Sequence, residues 1–428
     1  MDARTGSLIT LLAVVGLVVP VAPGAEAAAP MCHGHRATIV GPDRPHGHLI
    51  TGTRGRDVIV GTDGHDLIRA RGGNDLVCGR SGADRILGGR GDDRLHGGRD
   101  RTGYRADTDS SWAVGDTIEG GPGDDLIDLG YDPGQVDSRL RSPVERDTVT
   151  FHGSTHGVHV DLRAGRATGD GHDVIVGGPG FLWVRGSAHD DRILGSDGPD
   201  RVRLGRGDDV FRGRGGDDRA EDGGHDSGRD RMHGGPGNDT LLTSSGGDLL
   251  AGGGGDDLLT GDHAWPISPR DPAVALPVDI HGGPGDDDVR LTWIRRGDRV
   301  SGGDGTDQLD VVFGDPREAG PAGADLADGT LSWGQESATA TLFEKYYLNA
   351  FAPLTLRGSD GPDLVGYAAP GLVAELGAGD DLLTWRPGWA DSPRDDATDD
   401  TVDGGPGTDT VDVGAGNDTC TNTEAGPC

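Results

Sequence analysis

GGRGDDRLHGG, residues 88–98, decides how this chain folds. Nine residues hold three glycines, two aspartates and one leucine, and then the glycines return. Glycine resists regular structure and neighbouring carboxylates repel, so the stretch needs a further component that uses both. The spacing recurs upstream. Asp57, Asp66, Asp75, Asp84 and Asp93 stand nine apart. A glycine precedes each by two residues (Gly55, Gly64, Gly73, Gly82, Gly91) and an aliphatic follows each by two (Ile59, Ile68, Val77, Ile86, Leu95).

The frame returns along the whole chain, as a fixed short period does in repeat architectures. Asp116 and Asp125 form a pair; Asp191, Asp200, Asp209 and Asp218 form a second ladder; Asp230, Asp239, Asp248 and Asp257 form a third. Asp287 stands alone, Asp298 and Asp307 pair, and Asp400, Asp409 and Asp418 close the chain. Asp173 and Asp191 are eighteen apart, as are Asp363 and Asp381. Between them Leu182 and Leu372 fill the aspartate slot, so the coil is expected to continue there with one ligand lost.

The pattern is G-G-x-G-x-D-x-U-x, with U aliphatic. The first six positions turn and the last three make one short strand. Strand side chains alternate, so U points inward and its neighbours outward. Each repeat then buries about one aliphatic side chain, which is too little to order nine residues against carboxylate repulsion. A hard cation supplies the difference. Calcium takes about 6–8 oxygens, typically carboxylate and backbone carbonyl. Magnesium demands rigid octahedral geometry and keeps its waters. Zinc wants nitrogen or sulfur, which the ladder lacks. The ladder count and this oxygen demand point to on the order of ten calcium ions.

The repeat resembles that of the RTX, or hemolysin-type, calcium-binding proteins, whose nonapeptide is GGxGxDxUx. GGRGDDRLH (88–96) and GGPGNDTLL (234–242) match it at every position. The resemblance covers most of residues 51–428 and implies a right-handed parallel β-roll, each nonapeptide forming half a coil. It implies calcium between like-sided loops, held by loop carbonyls and the sixth-position aspartate. Carried over by position, the ligands are the ladder aspartates above together with Asp381. Leu182 and Leu372 depart from the motif. The cleavable start also departs from Gram-negative members, which use an uncleaved C-terminal signal. ATIVG (37–41) and GNDTCTNTEAGPC (416–428) more closely resemble secreted repeat proteins of high-GC Gram-positive bacteria.

Composition agrees with an all-β calcium-dependent roll. Only 33% of residues are hydrophobic and 4% aromatic, so a thick core is not expected. The net charge of −33 disfavours nucleic acid and anionic membranes and favours cations. Leu8 to Val21 is an apolar run ahead of Ala25-Glu26-Ala27, which reads as a signal peptide over 1–27. No later segment is apolar enough to span a membrane, so the mature chain is read as secreted. Four cysteines fit an oxidising compartment and allow three pairings. The favoured one, Cys32–Cys78 with Cys420–Cys428, fastens each end. The expected divisions are a cap (28–50), repeat blocks (51–100 and 186–261), interrupted repeats (101–185 and 262–310), an insertion (311–357) and C-terminal repeats with a disulfide cap (358–428).

Two function classes follow. The first is a secreted structural or binding module, with FEKYYLNAF (343–351) read as a local core or as a cell-surface or glycan contact. The second is an extracellular carbohydrate-active enzyme built on the β-helix, for which Asp310, Glu336, Glu344, Tyr346 and Tyr347 are the nearest residues. G-x-S-x-G and H-E-x-x-H are absent, no repeat-free gap reaches the usual ~100 residues of a catalytic domain, and the module is favoured. His33, His35, His46 and His48 form two H-x-H pairs, read as solvated cap residues before metal ligands.

Overall fold

The computed structural model describes residues 29–42, 48–99, 115–130, 147–177, 183–223, 228–244, 246–262, 276–314, 320–386 and 398–428. The signal segment, His46 and Leu182 lie outside the described residues. Among those described there is no helix, and short strands alternate between two long sheets. One sheet runs through sixteen described strands from Leu49–Thr51 to Thr410–Asp412, all parallel to their neighbours. The other runs from Ile39–Val40 to Thr419–Thr421. Successive nonapeptides go to opposite sheets, so like-sided turns are eighteen residues apart in the regular stretches. This is a parallel β-roll, as the repeat implied.

The register follows from the single aliphatic in each repeat. Ile68 pairs with Ile86, and Ile86 with Ile118 in the next coil. On the facing sheet Val77 pairs with Leu95, and Leu95 with Ile127. Stacking puts these side chains in two columns between the sheets, where all six are fully buried. A one-residue slip would turn each column outward, so burial fixes the pairing.

Two antiparallel strands are spliced into the second sheet. Arg166–Thr168 sits between His159–Asp161 and His172–Val176. Thr330–Trp333 sits between Ala322–Asp325 and Glu336–Thr341. The segment 311–357 thus supplies strands to both sheets, and Trp333, Phe343 and Tyr346 are buried.

The N-terminal hairpin, Met31–Cys32 with His35–Arg36, covers the outward apolar residues of the first coils. Cys32, Val58, Val60 and Leu76 form a small core of their own. Cys32 bonds Cys78 and Cys420 bonds Cys428. The first bridge closes a sequence separation of 46, which a chain-entropy account values at about 4 kcal/mol.

Candidate calcium turns

The turn at 88–93 shows how the repeat builds a site. Gly89 and Gly91 adopt φ of +103° and +117°, which L side chains rarely accept. A Cβ on Gly88 would stand 2.5 Å from Asp93 Oδ2, so the first glycine leaves room for the carboxylate. Asp93 is thereby drawn inside the turn and is 1% exposed. The turns abut through their carbonyls: a Cβ on Gly91 would lie 2.5 Å from Gly73 O, one coil back.

The ladder carboxylates share one hydrogen bond, made at Oδ1. Asp93 Oδ1 accepts the N–H of Asp75, and the N–H of Asp93 donates to Asp125 Oδ1, both at 2.8 Å. The same bond links Asp57 through Asp75, Asp93 and Asp125 to Asp173 on one side of the roll. On the other side it links Asp66 through Asp84 and Asp116 to Asp147. Later runs join Asp191, Asp209, Asp230 and Asp248, and Asp200, Asp218, Asp239, Asp257, Asp287 and Asp307. Asp363, Asp381 and Asp409 continue the pattern, as do Asp400 and Asp418. Of the expected ligands all are buried except Asp418, which is half-buried.

The second oxygen is different. Oδ2 of Asp75, Asp93, Asp125, Asp218, Asp239, Asp257, Asp287, Asp307, Asp381 and Asp409 is buried with no hydrogen-bond donor. An uncompensated buried oxygen of this kind is costly, and a row of them is not a packing accident. Burial pushes the Asp93 carboxyl up to about 7, against the N–H donated by Asp75 and with repulsion from the Asp75 carboxylate. Asp125 and Asp218 rise to about 8 and Asp230 to about 9, again first by burial. The protein alone therefore disfavours these groups as anions, which a cation at Oδ2 would reverse.

The donor set fits calcium. Among the described residues no three His, Cys, Asp or Glu side chains converge on one point. Further ligands must come from backbone carbonyls, which glycine turns bring close. An all-oxygen set mixing carboxylate and carbonyl suits a hard, flexible cation.

Several ladder positions were not legible as ligands. Asp147 lacks preceding glycines yet accepts the Asp116 N–H at 2.9 Å. Glu344 and Glu424 take the aspartate place, accepting the N–H of Asp307 and of Asp409, each at 2.7 Å. Their signal is an acid in the slot; in Glu344 the inward Tyr346 follows two residues on. Val278 and Leu372 fill slots without an oxygen, and their N–H groups donate to Asp298 and Asp400.

The residues considered for catalysis do not gather. Glu344 stands in the ladder, while Glu336, in the other sheet, accepts the Arg296 N–H at 2.7 Å. Tyr346 points inward. Asp310 and Tyr347 are cross-strand neighbours, with Arg386 stacked 4.9 Å from the Tyr347 ring. His33 stacks on His96 at 3.9 Å.

The sequence signature of the RTX calcium-binding nonapeptide repeat (4 copies) matches residues 51–86, 79–101, 115–131, 185–220, 226–262 and 394–420. No curated protein matches the chain. Among the described residues no helix is long and apolar enough to cross a membrane.

Proposed function

We infer that this chain, which carries RTX calcium-binding nonapeptide repeats, is a secreted multi-site calcium module whose folding is coupled to extracellular calcium. It acts as a structural or binding element. The observation behind this reading is the row of buried carboxylate oxygens that no protein donor reaches. Filling them with a divalent cation removes both the desolvation cost and the repulsion between coils. The cytosol is poor in calcium and the exterior is rich in it, so a chain exported unfolded sets on arrival. Two disulfides suit the same compartment.

Calorimetric titration of metal-free protein tests the reading. We expect several calcium ions per chain, with binding little disturbed by an equal concentration of magnesium. Magnesium binding as tightly as calcium, or calcium binding at no more than one site, would contradict it.

A further inference from the structure

Not every ladder aspartate carries the bare oxygen. Five turns have serine or threonine in the second position, as G-[ST]-x-x-x-D: Thr53, Thr62, Ser187, Ser196 and Ser359. In each, the N–H of that residue donates to Oδ2 of the aspartate four residues on. The distances are 2.6 Å to Asp57, 2.6 Å to Asp66, 2.6 Å to Asp191, 2.5 Å to Asp200 and 2.7 Å to Asp363. The hydroxyl adds a second tie. Ser196 Oγ lies 3.2 Å from Asp200 Oδ1 and 3.1 Å from Gly198 O. Its one proton goes to either, so the hydroxyl reaches both the carboxylate and the fourth-position carbonyl. Ser187 and Ser359 repeat the arrangement.

The backbone differs accordingly. In the 88–93 turn the second and fourth positions are left-handed, and the Gly89 N–H goes to Gly120 O in the next coil instead of to Asp93. In the Ser196 turn neither Ser196 nor Gly198 is left-handed. Two more aspartates reach the same end by other donors. Asp298 Oδ2 takes the Arg295 N–H at 2.6 Å, and Asp400 Oδ2 takes the Tyr367 hydroxyl at 2.7 Å.

Six of the seven share a place in the fold: each stands where a ladder starts or restarts. No ladder acid precedes Asp57 or Asp66. The preceding slot is Val278 for Asp298 and Leu372 for Asp400. Val158 donates to Asp191, and the strand before Arg201–Arg203 follows Leu182. Asp363 is the exception: it follows a ladder acid, Glu344, and shares with the other six only the donors at its carboxylate. Calcium needs about 6–8 oxygens, more than one turn presents, so a turn depends on carbonyls from the like-sided turn before it. Where the slot before holds no acid, the protein's own donors meet Oδ2 instead.

We propose that Asp57, Asp66, Asp191, Asp200, Asp298, Asp363 and Asp400 take no calcium, and that the protein donors at Oδ2 stand in place of the ion, at six of them in the first turn of a run. The proposal rests on the calcium reading above and narrows its ligand set to the remaining ladder aspartates. Five of the seven end a G-[ST]-x-x-x-D turn.

Equilibrium dialysis of the full chain against radioactive calcium, counting ions bound at saturation, tests it. D200N and S196A are expected to bind as many ions as the wild type, and D218N to lose at least one. Loss of calcium from D200N equal to that from D218N overturns the proposal. Should D200N lack a β spectrum at saturating calcium, S359A, which removes only a hydroxyl, is read in the same way: full occupancy supports the proposal and a lost ion overturns it. A wild type that binds no calcium overturns the calcium reading and this inference with it. A wild type that binds calcium while D200N and S359A lose it overturns this inference alone.

Discussion

Metal-free protein brought from pH 4 to pH 8 is expected to lose its β structure. The sign follows from the buried carboxyls. Asp93 and Asp257 sit at about 7, Asp125 and Asp218 at about 8, and Asp230 at about 9, against 3.8 for the ordinary side chain. Between 3.8 and those values the folded chain holds more protons than the unfolded chain. Stability therefore falls as pH rises. Below about pH 4 the groups are protonated in both states and the loss is absent. The raised groups follow one another along the ladder, so each that ionises adds its repulsion to the next and the losses share one sign. Far-UV circular dichroism on protein freed of metal by ion exchange reads the transition. Equal β content at pH 4 and pH 8 without calcium would show that the carboxylates are held by something other than protons or metal. With saturating calcium the pH dependence should vanish over the same range, because the cation takes the proton's place.

Two glycine-to-alanine substitutions at the fourth turn position are expected to behave in opposite ways. Gly237 has φ +138°, and a Cβ there would collide with the Gly216 carbonyl of the like-sided turn one coil back. G237A must therefore leave the left-handed region and push apart two turns that abut through this carbonyl. The backbone cost alone is about 1–2 kcal/mol, so the stability read from urea unfolding at a fixed, saturating calcium concentration should fall by at least about that much. Gly198 is not left-handed and has open space around its Cβ position. G198A should hold that stability or raise it by about 0.4–1 kcal/mol, as a conformationally compatible Gly-to-Ala change does. Equal effects from the two would mean that the calcium-type and Ser/Thr turns do not differ as their backbones indicate.

The legible part of this fold is the part set by period. Gly91, Asp93 and Leu95 name a turn, an inward carboxylate and a core residue. Copying that frame every nine residues yields both sheets and the inward columns through Ile86 and Leu95. Where the frame slipped, the sequence carried less. Asp147 looked like any acid because no glycine precedes it, and only its pairing with Asp116 places it in a turn. Glu344 was set aside as a non-ladder acid; its longer side chain spans the extra distance to the Asp307 N–H. The antiparallel strands Arg166–Thr168 and Thr330–Trp333 follow from local hairpins that a nine-residue template does not contain. The Ser/Thr turns were visible as letters, but their meaning depends on which way an N–H points. That is a property of backbone φ and not of composition.

The central claim is that the buried Oδ2 row is completed by calcium and that, at neutral pH where the carboxyls lose their protons, the roll forms only when it is. The direct test is a calcium titration of metal-free protein at pH 7.5, followed by far-UV circular dichroism, with magnesium as the control. A cooperative change from coil to β in calcium, absent in magnesium, is the predicted result. A β spectrum already complete in metal-free buffer, and unchanged by calcium, would contradict it.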